Sequence, residues 1–300
     1  MNGESDLVDA LTPGTAEART VDDVFVATAH HMPGGRVFGG QVLAQALLAA
    51  SRTTEPLRKA HSLHGYFLRA GDLRKPITYG VDRVRDGRSF STRRVQAYQD
   101  GLSIFTMIAS FQQPSRGVEH QATAPKGLPD PEDLPSQAPP GAEPSGKCGS
   151  RTLQDYLDVR LVPAEALDTL GDHGGPARAI WIRARRKLPD DPMVHRAVLA
   201  YLSDAYISEP ILTAHGLVWG GKGTTMASLD HALWWYREGR ADEWLLTVQE
   251  SPTAGSSRGL VTGRIHSRDG TLLAATAQEL MVRTPEPPTE TTDGKRLEGR

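Results

Sequence analysis

The sequence predicts an α+β fold in which two copies of one unit follow each other, each an antiparallel sheet wrapped around a long buried helix. Three observations lead to this prediction. An internal repeat divides the chain. Each half contains one helical segment that is apolar on nearly all sides. The segments after each helix alternate between apolar and polar residues, as half-buried strands do.

The internal repeat is visible in two kinds of marker. The turn dipeptides Asp100-Gly101 and Asp269-Gly270 lie 169 residues apart. Two segments rich in aromatic residues, His64 to Arg69 and His231 to Arg237, end in arginines that lie 168 residues apart. Because such a spacing is too long for a solenoid repeat, it indicates one domain fused to its own copy. The seam between the copies is then a favoured place for a ligand pocket.

Composition sets the broad class of protein. The chain has 300 residues, 38% of them hydrophobic and 23% charged, and a net charge of −2. This length allows about two domains, and the charge balance favours neither nucleic acid nor an anionic membrane as partner. No stretch is long enough for a membrane helix, so no stable membrane insertion is expected, and the acidic N terminus does not resemble a signal peptide. The single cysteine, Cys148, excludes an internal disulfide and fits a cytoplasmic location.

Three segments are predicted to lie outside the folded units. Residues 1–20 are expected to be a flexible lead-in. Residues 122–150 are dense in Pro, Gly and Ser and bury too little apolar surface to offset the entropy of ordering. They are interpreted as a linker laid along the surface in extended form. Residues 284–300 have a similar composition and are expected to be disordered, which leaves residues 21–121 and 151–283 for the two units.

Both units are predicted to contain a short strand, a helix and four further strands, in that order. In the first unit these elements are expected at residues 24–28, 40–51 (helix), 61–69, 76–85, 89–99 and 102–112. In the second they are expected at residues 179–184, 192–207 (helix), 225–236, 243–251, 257–267 and 271–283. Asp191 and Pro192 mark the start of the second helix as N-cap and first residue. A buried helix wrapped by an antiparallel sheet is the hotdog arrangement, so the chain is predicted to be a double hotdog.

Several motifs in both units resemble the acyl-CoA thioesterase II (TesB-like) family. In the first unit they are Arg36 to Ala46, His61 to Asp72 and Arg85 to Val95. In the second unit they are Trp181 to Arg183, Leu202 to Asp204, Leu229 to Trp234 and Ala274 to Glu279. Several such matches in the right order are far more specific than any one of them.

The resemblance implies a double hotdog that hydrolyses acyl-CoA thioesters without a metal or cofactor. It also implies that an Asp, a Thr and a Gln order the attacking water. These positions fall on Asp204, Ser228 and Gln278. Ser228 departs from the family pattern, which usually has threonine there. Serine keeps the hydroxyl but restrains its rotamer less.

Two of these positions also stand out from the residues alone. Asp204 lies seven residues after Ala197 and three after Tyr201, which places it at the margin of the apolar face of the second helix. Buried carboxylates are unusual unless they are paired or hydrogen-bonded. Gln278 interrupts an apolar strand, where its amide needs partners on both oxygen and nitrogen. A structural role is the alternative for each, and Ser228 alone would be interpreted as a turn or strand-face residue.

The start of the first helix is the candidate oxyanion site. Glycines allow close approach of the substrate, and free N–H groups at a helix N terminus favour negative charge. We expect the first unit to supply the backbone of Gly39, Gly40 or Gln41 and the second unit to supply Asp204. The alternative is that the glycines only permit tight packing. Because the first helix has no aspartate, and Gln41 and Gln45 occupy its polar edge, one active site per chain is expected.

A few other side chains are weaker candidates. His64 could line the pocket, although a structural histidine is the alternative. Arg93 or Arg94 could bind CoA phosphates, because guanidinium matches phosphate geometry. The two arginines point to opposite faces of a strand, so at most one is expected to do so, and a surface salt bridge is the alternative. No pair of histidines has metal-ligand spacing, so no metal site is predicted.

Two other functions stay open at the level of sequence. A non-catalytic acyl-CoA binding or sensing protein would not need all three polar positions, and their retention argues against it. A hotdog enoyl-CoA hydratase would need an Asp/His pair, for which His195 is the available partner of Asp204. Nine residues separate them, which disfavours the pair. Under all three interpretations the expected ligand is an acyl-CoA thioester. A homo-oligomer is also expected, because antiparallel sheets of this kind leave edges that pair between subunits.

Overall fold

A computed structural model of the protein describes residues 7–15, 23–29, 35–136, 153–168 and 175–284. Cys148 and the tail beyond Thr284 lie outside these ranges. The elements of the first half are α1 (Leu7–Leu11), β1 (Gly14–Thr15), β2 (Asp23–Ala27), α2 (Gly39–Ser51), β3 (Lys59–Phe67), β4 (Ile77–Asp86), β5 (Phe90–Gln99) and β6 (Leu102–Gln112).

The second half begins with a 3₁₀ turn at Pro131–Asp133. Its other elements are α3 (Leu153–Tyr156), β7 (Leu157–Leu161), α4 (Ala164–Asp168), β8 (Ala177–Ala184), α5 (Pro192–Ser203), α6 (Glu209–Ala214), β9 (Thr225–Ser228), β10 (Asp230–Trp235), β11 (Leu245–Gly255), β12 (Arg258–Ser267) and β13 (Leu272–Arg283). No helix in the described ranges is both long and apolar enough to cross a bilayer.

One continuous sheet runs through both halves. Its strand order is β1-β2-β4-β5-β6-β3-β10-β13-β12-β11-β8-β7, and β9 pairs with β13 outside this path. The halves are joined where β3 pairs with β10 in antiparallel fashion, with Leu63 opposite Leu233. The two long helices, α2 and α5, pack against each other inside the curved sheet. The predicted α+β double hotdog is confirmed.

The helix α2 is buried on nearly all sides, as its apolar composition predicts. Gln41 and Gln45 do not form the expected polar edge, because both are fully buried. The Gln45 amide donates to Ala10 O (2.7 Å) and Thr28 O (3.0 Å) and accepts from Tyr79 Oη (2.6 Å). The Gln41 amide also donates to Thr28 O (2.9 Å). These bonds satisfy polar groups that would otherwise be costly in a core.

The expected flexible lead-in is wrong for residues 7–15, which form α1 and β1. Leu7 and Leu11 lie on one face of α1 and are buried against the core. This i, i+4 spacing is that of an amphipathic helix, a short signal that the polar composition of residues 1–20 concealed.

The described part of the predicted linker is packed on the second half. Residues 122–136 are largely irregular, yet Pro131 and Leu134 are buried. Trp181 Nε1 donates to Pro129 O (3.1 Å), and Trp244 Nε1 donates to Glu132 Oε1 (2.9 Å). This segment therefore covers the outer face of the sheet, the face turned away from α5.

Two predicted elements end differently in the structure, and both differences shape the site. The second helix stops at Ser203, and it could not have continued to residue 207, because Tyr206 takes a left-handed φ of 62° that a helix cannot accommodate. The strand predicted over residues 225–236 is divided into β9 and β10. Ser228 pairs with Leu280 while Ala232 pairs with Ala277, so one extra residue is accommodated near Leu229. Such a bulge redirects the side chains that follow it.

Candidate active site

The carboxylate of Asp204 lies where the N terminus of α2 meets the C terminus of α5. Asp204 is the C-cap residue of α5, just past the helix in which it was predicted, and is 8% exposed. Its Oδ2 accepts a hydrogen bond from Gly40 N at 2.8 Å. A free N–H at a helix N terminus favours a carboxylate, so the first half stabilises the charge of a residue from the second.

Gln278 connects the other two predicted residues to each other. Its Nε2 donates to Asp204 Oδ1 at 2.9 Å and to Ser228 Oγ at 2.8 Å. Gln278 is fully buried on β13, and its hydrogen bond to Asp204 is buried as well, whereas Ser228 is half-buried. The sequence interpretation had the amide donating to water, whereas here both amide hydrogens are directed to protein groups.

The bulge near Leu229 explains how Ser228 reaches this cluster. Ser228 lies opposite Leu280, and His231 lies opposite Gln278, as the pairing of Ala232 with Ala277 requires. Residues three apart in a regular strand point to opposite faces. The extra residue of the bulge brings both Ser228 and His231 to the inner face, beside Gln278.

His231 is the residue of this cluster that sequence analysis missed. It is 1% exposed, and its Nδ1 is hydrogen-bonded to Gln278 Oε1. Its Nε2 lies 2.9 Å from Ser203 Oγ and 3.1 Å from Thr276 Oγ1. Burial lowers the pKa of the His231 imidazole, and the Asp204 carboxylate opposes part of that shift.

The three backbone N–H groups proposed as oxyanion donors differ in whether they already have a hydrogen-bond partner. Gly40 N–H is committed to Asp204, and Gln41 N–H donates to Phe38 O at 3.1 Å. In the described part of the chain, the N–H of Gly39 has no hydrogen-bond partner. A Cβ placed on Gly39 would lie 2.7 Å from Asp204 Oδ2, so the absence of a side chain at this position lets the helix start approach the carboxylate closely.

His64 does not line this site. It lies on the outer face of β3, where its exposed ring packs edge-on against Trp234 with ring centroids 5.0 Å apart. The two histidines lie 167 residues apart, one short of the 168-residue spacing of Arg69 and Arg237. Successive side chains in a strand point to opposite faces of the sheet. This offset of one residue therefore makes His231 point inward and His64 point outward.

Arg93 is not presented to a phosphate. It is 1% exposed, donating to Thr53 Oγ1 (2.7 Å), Thr53 O (2.9 Å) and Asp86 Oδ1 (2.7 Å). Its inward-facing guanidinium is thus a structural group, which corrects its assignment as a CoA ligand. Arg94 is exposed on the outer face and pairs with Asp82 at 3.0 Å, so of the two only Arg94 stays a candidate.

The corresponding place in the first half is occupied by this buried arginine. Arg93 lies 168 residues before Val261, which faces Gln278 across β12 and β13. Its partner Thr53 lies just past the end of α2, as Asp204 lies at the end of α5. The two ends of the helix pair therefore differ in chemistry, with the polar cluster around Asp204 at one end and the buried arginine at the other.

His195 is not paired with Asp204. Its Nδ1 accepts from Ala241 N at 3.1 Å, near the start of α5, whereas Asp204 lies at the opposite end of the helix. Within the described ranges, no cluster of three or more His, Cys, Asp or Glu side chains could hold a metal ion.

Buried histidines make stability depend on pH. Burial lowers the pKa values of His61, His195, His231 and His266. Below about pH 6.5, the ordinary histidine pKa, the unfolded chain therefore binds more protons than the folded chain. We expect the free energy of unfolding to fall as pH falls from 7.5 to 5.5, by at most about 1.4 kcal/mol per pH unit for each proton of difference.

Urea unfolding at pH 7.5, 6.5 and 5.5 measures this dependence. A midpoint that stays constant or rises toward pH 5.5 would contradict it. His266→Leu removes one buried imidazole on β12, outside the cluster around Asp204, and should flatten the dependence.

Comparisons with known proteins identify the family. The family described as "Acyl-CoA thioesterase N-terminal domain" matches residues 27–112, and that described as "Acyl-CoA thioesterase C-terminal domain" matches residues 131–282. Acyl-coenzyme A thioesterase 8 of Mus musculus is 39% identical, over 83% of this chain and 80% of its own. Acyl-CoA thioesterase 2 of Haemophilus influenzae is 34% identical, over 89% and 94%.

A solved structure gives the same result. The acyl-CoA thioesterase II TesB2 of Mycobacterium marinum is 40% identical and superposes with a TM-score of 0.78, over 92% of this chain and 98% of its own. Sequence and architecture thus agree over both units and the seam between them. The chain belongs to the acyl-CoA thioesterase family, as a TesB-like thioesterase II built from two fused hotdog units.

Proposed function

We propose that this thioesterase hydrolyses acyl-CoA to free fatty acid and CoA with a water molecule held by Asp204 and Ser228. The observation that carries the proposal is the Gln278 amide, which lies 2.9 Å from Asp204 and 2.8 Å from Ser228. Three polar side chains from α5, β9 and β13 thus converge at the start of α2. Burial of a carboxylate with two other polar side chains costs free energy, and a catalytic role gives a reason why the cluster is nevertheless present.

In the proposed reaction, Asp204 is the general base. Water donates a hydrogen bond to the carboxylate, and the Ser228 hydroxyl fixes its position. As the water oxygen bonds to the thioester carbonyl carbon, its proton passes to Asp204. The tetrahedral intermediate then collapses, the C–S bond breaks with its electron pair on sulfur, and the proton leaves Asp204 for the thiolate or solvent. No metal, cofactor or covalent enzyme intermediate takes part.

Gly39 N–H is the proposed donor to the developing oxyanion. Among Gly39, Gly40 and Gln41, it is the backbone donor that other described groups leave available. The positive end of the α2 dipole adds to the same stabilisation. Gly40 N–H then has a different task, since it holds the carboxylate of Asp204.

The two alternative functions have weaker support. A non-catalytic acyl-CoA binding protein would have no need for the buried Asp204–Gln278–Ser228 cluster. An enoyl-CoA hydratase would need a histidine paired with Asp204. His195 is hydrogen-bonded to Ala241 at the other end of α5, and the ring nitrogens of His231 are bonded to Gln278, Ser203 and Thr276 instead of Asp204.

Incubation of the purified chain with saturated acyl-CoA and with enoyl-CoA, over a panel of chain lengths, tests the proposal. Thiol release from saturated acyl-CoA is the expected result. Binding without thiol release would favour the binding protein, and loss of the enoyl chromophore without thiol release would favour the hydratase. The panel also gives the preferred chain length.

A further inference from the structure

The Gln278 amide has hydrogen-bond partners on both sides, Asp204 and Ser228 in front of it and one side chain behind it. Gln278 Nε2 donates to Asp204 and Ser228, so its Oε1 points away from the water site, toward His231. If the amide were rotated by half a turn, Oε1 would face the Asp204 carboxylate, and the two acceptors would repel each other. A donor that faces Oε1 adds to this preference and holds the amide with Nε2 presented to Asp204.

His231 is that donor, which determines its tautomer. Because Oε1 only accepts hydrogen bonds, the hydrogen of the neutral ring lies on Nδ1, and Nε2 must accept. Two hydroxyls can supply Nε2, those of Ser203 and Thr276. Each also lies 2.9 Å from a main-chain carbonyl, Ala200 O for Ser203 and Ala232 O for Thr276. One hydroxyl can donate to Nε2 while the other donates to its carbonyl, so every polar group has a partner.

The surroundings of the ring support the neutral form. His231 is fully enclosed by protein, and burial favours an uncharged imidazole, although the Asp204 carboxylate acts in the opposite direction. A neutral ring with Nδ1 protonated leaves a single orientation for Gln278.

We propose that His231 is a positioning residue, which fixes the Gln278 amide through its Nδ1–H and thereby orients Asp204 and Ser228 for the attacking water. The proposal rests on the function proposed above. The effect of His231 is indirect, because Gln278 lies between it and Asp204. Its loss should therefore lower kcat and leave substrate binding almost unchanged.

Two substitutions separate donation by His231 from its packing. In His231→Asn, the amide nitrogen is at the position of Nδ1 and can donate to Gln278 Oε1. In His231→Leu, the side chain fills similar space without a donor. Small misplacements of reacting groups can cost about 10²-fold in rate. We therefore expect His231→Leu to lower kcat by about 10- to 100-fold with little change in KM, and His231→Asn to retain the larger share of kcat.

A double-mutant cycle with Gln278→Ala tests whether the effect passes through Gln278. Without the Gln278 amide, His231→Leu should cause little further loss of kcat, so the two effects should not add. Additive effects would overturn the proposal, and so would equal losses in His231→Asn and His231→Leu. His266→Leu controls for the loss of a buried imidazole, because His266 is equally buried on β12 and should leave kcat unchanged.

The outcomes also distinguish this proposal from the function on which it rests. If Asp204→Asn abolishes thiol release while His231→Leu retains wild-type kcat, only the role of His231 is wrong. If Asp204→Asn retains wild-type kcat, the water-activating cluster itself is wrong. If His231→Leu does not fold, His231→Gln takes its place, because the glutamine amide reaches the position of Nε2 and leaves no donor at that of Nδ1. A loss of kcat in His231→Gln that disappears in the Gln278→Ala background supports the proposal, and wild-type kcat in a folded His231→Gln protein overturns it.

Discussion

Asp204→Asn is expected to lower kcat for acyl-CoA hydrolysis by about 10³-fold, within the range typical of losing a general base. Asparagine has the same shape, yet it cannot take a proton from water. Its oxygen can accept from Gly40 N–H or from Gln278 Nε2, although not from both as the carboxylate does. The lost hydrogen bond should cost about 1–3 kcal/mol of stability, and the protein should still fold. Thiol release under steady-state conditions measures kcat, and urea unfolding measures stability.

Asp158→Asn is the matched control for this change. Asp158 is also buried, on β7, where it pairs with Arg160 at 3.2 Å and Arg183 at 3.4 Å. The same substitution there should cost stability and leave the kcat of the folded protein near that of wild type. Near-wild-type kcat in Asp204→Asn would refute Asp204 as the base, although membership of the family would stand.

Much of the fold could be predicted because its signals are local. The run of Ala, Leu and Val in α2 indicates a buried helix wherever it occurs. Asp100-Gly101 indicates a tight reversal, and the structure gives these residues φ values of 50° and 76°. The 168-residue spacing needs no knowledge of contacts. Local patterns of this kind determine which elements form and in what order.

The faces of the strands were harder to predict, because one residue reverses them. Aromatic residues follow both His64 and His231, which makes the two histidines look equivalent. The 168-residue spacing of the repeat instead aligns His231 with Leu63, whose side chain faces inward. The bulge near Leu229 leaves no clear mark in the sequence. It depends on how β9 and β10 pair with β13, which is distant along the chain. For this reason His231 was missed.

The assembly of the site is also a long-range property. Asp204 and Gly40 are 164 residues apart in sequence, and Gln278 and Ser228 are 50 apart. Family resemblance assigned three of these positions without placing them in space. It did not show that Gly40 holds the carboxylate while Gly39 stays available. That division depends on the ends of α2 and α5, and α5 ends four residues earlier than the sequence predicts.

Gly40→Ala is expected to destabilise the protein by about 3 kcal/mol or more, because it forces apart the two central helices. A Cβ at this position would lie 2.3 Å from Tyr201 O, a backbone atom of α5, and 2.6 Å from a ring carbon of Phe38. A backbone carbonyl cannot rotate away as a side chain can, so α2 or α5 must shift. The shift would also lengthen the hydrogen bond from Gly40 N–H to Asp204. Thermal and urea unfolding should show the lost stability, and thiol release should show a loss of kcat.

The expected loss of stability in Gly40→Ala is opposite in sign to the effect of helix propensity, so the test separates the two causes. Replacing glycine by alanine inside a helix normally stabilises it by up to about 1 kcal/mol, so helix propensity alone predicts the opposite sign. Gly117→Ala is the control, since a Cβ on Gly117 meets no atom within 4 Å and should change neither stability nor kcat. A Gly40→Ala protein with wild-type stability would mean that the helices need not approach so closely. If it also kept wild-type kcat, Gly40 N–H would not be needed to hold Asp204, and the seam between the units would have to orient the carboxylate by other contacts.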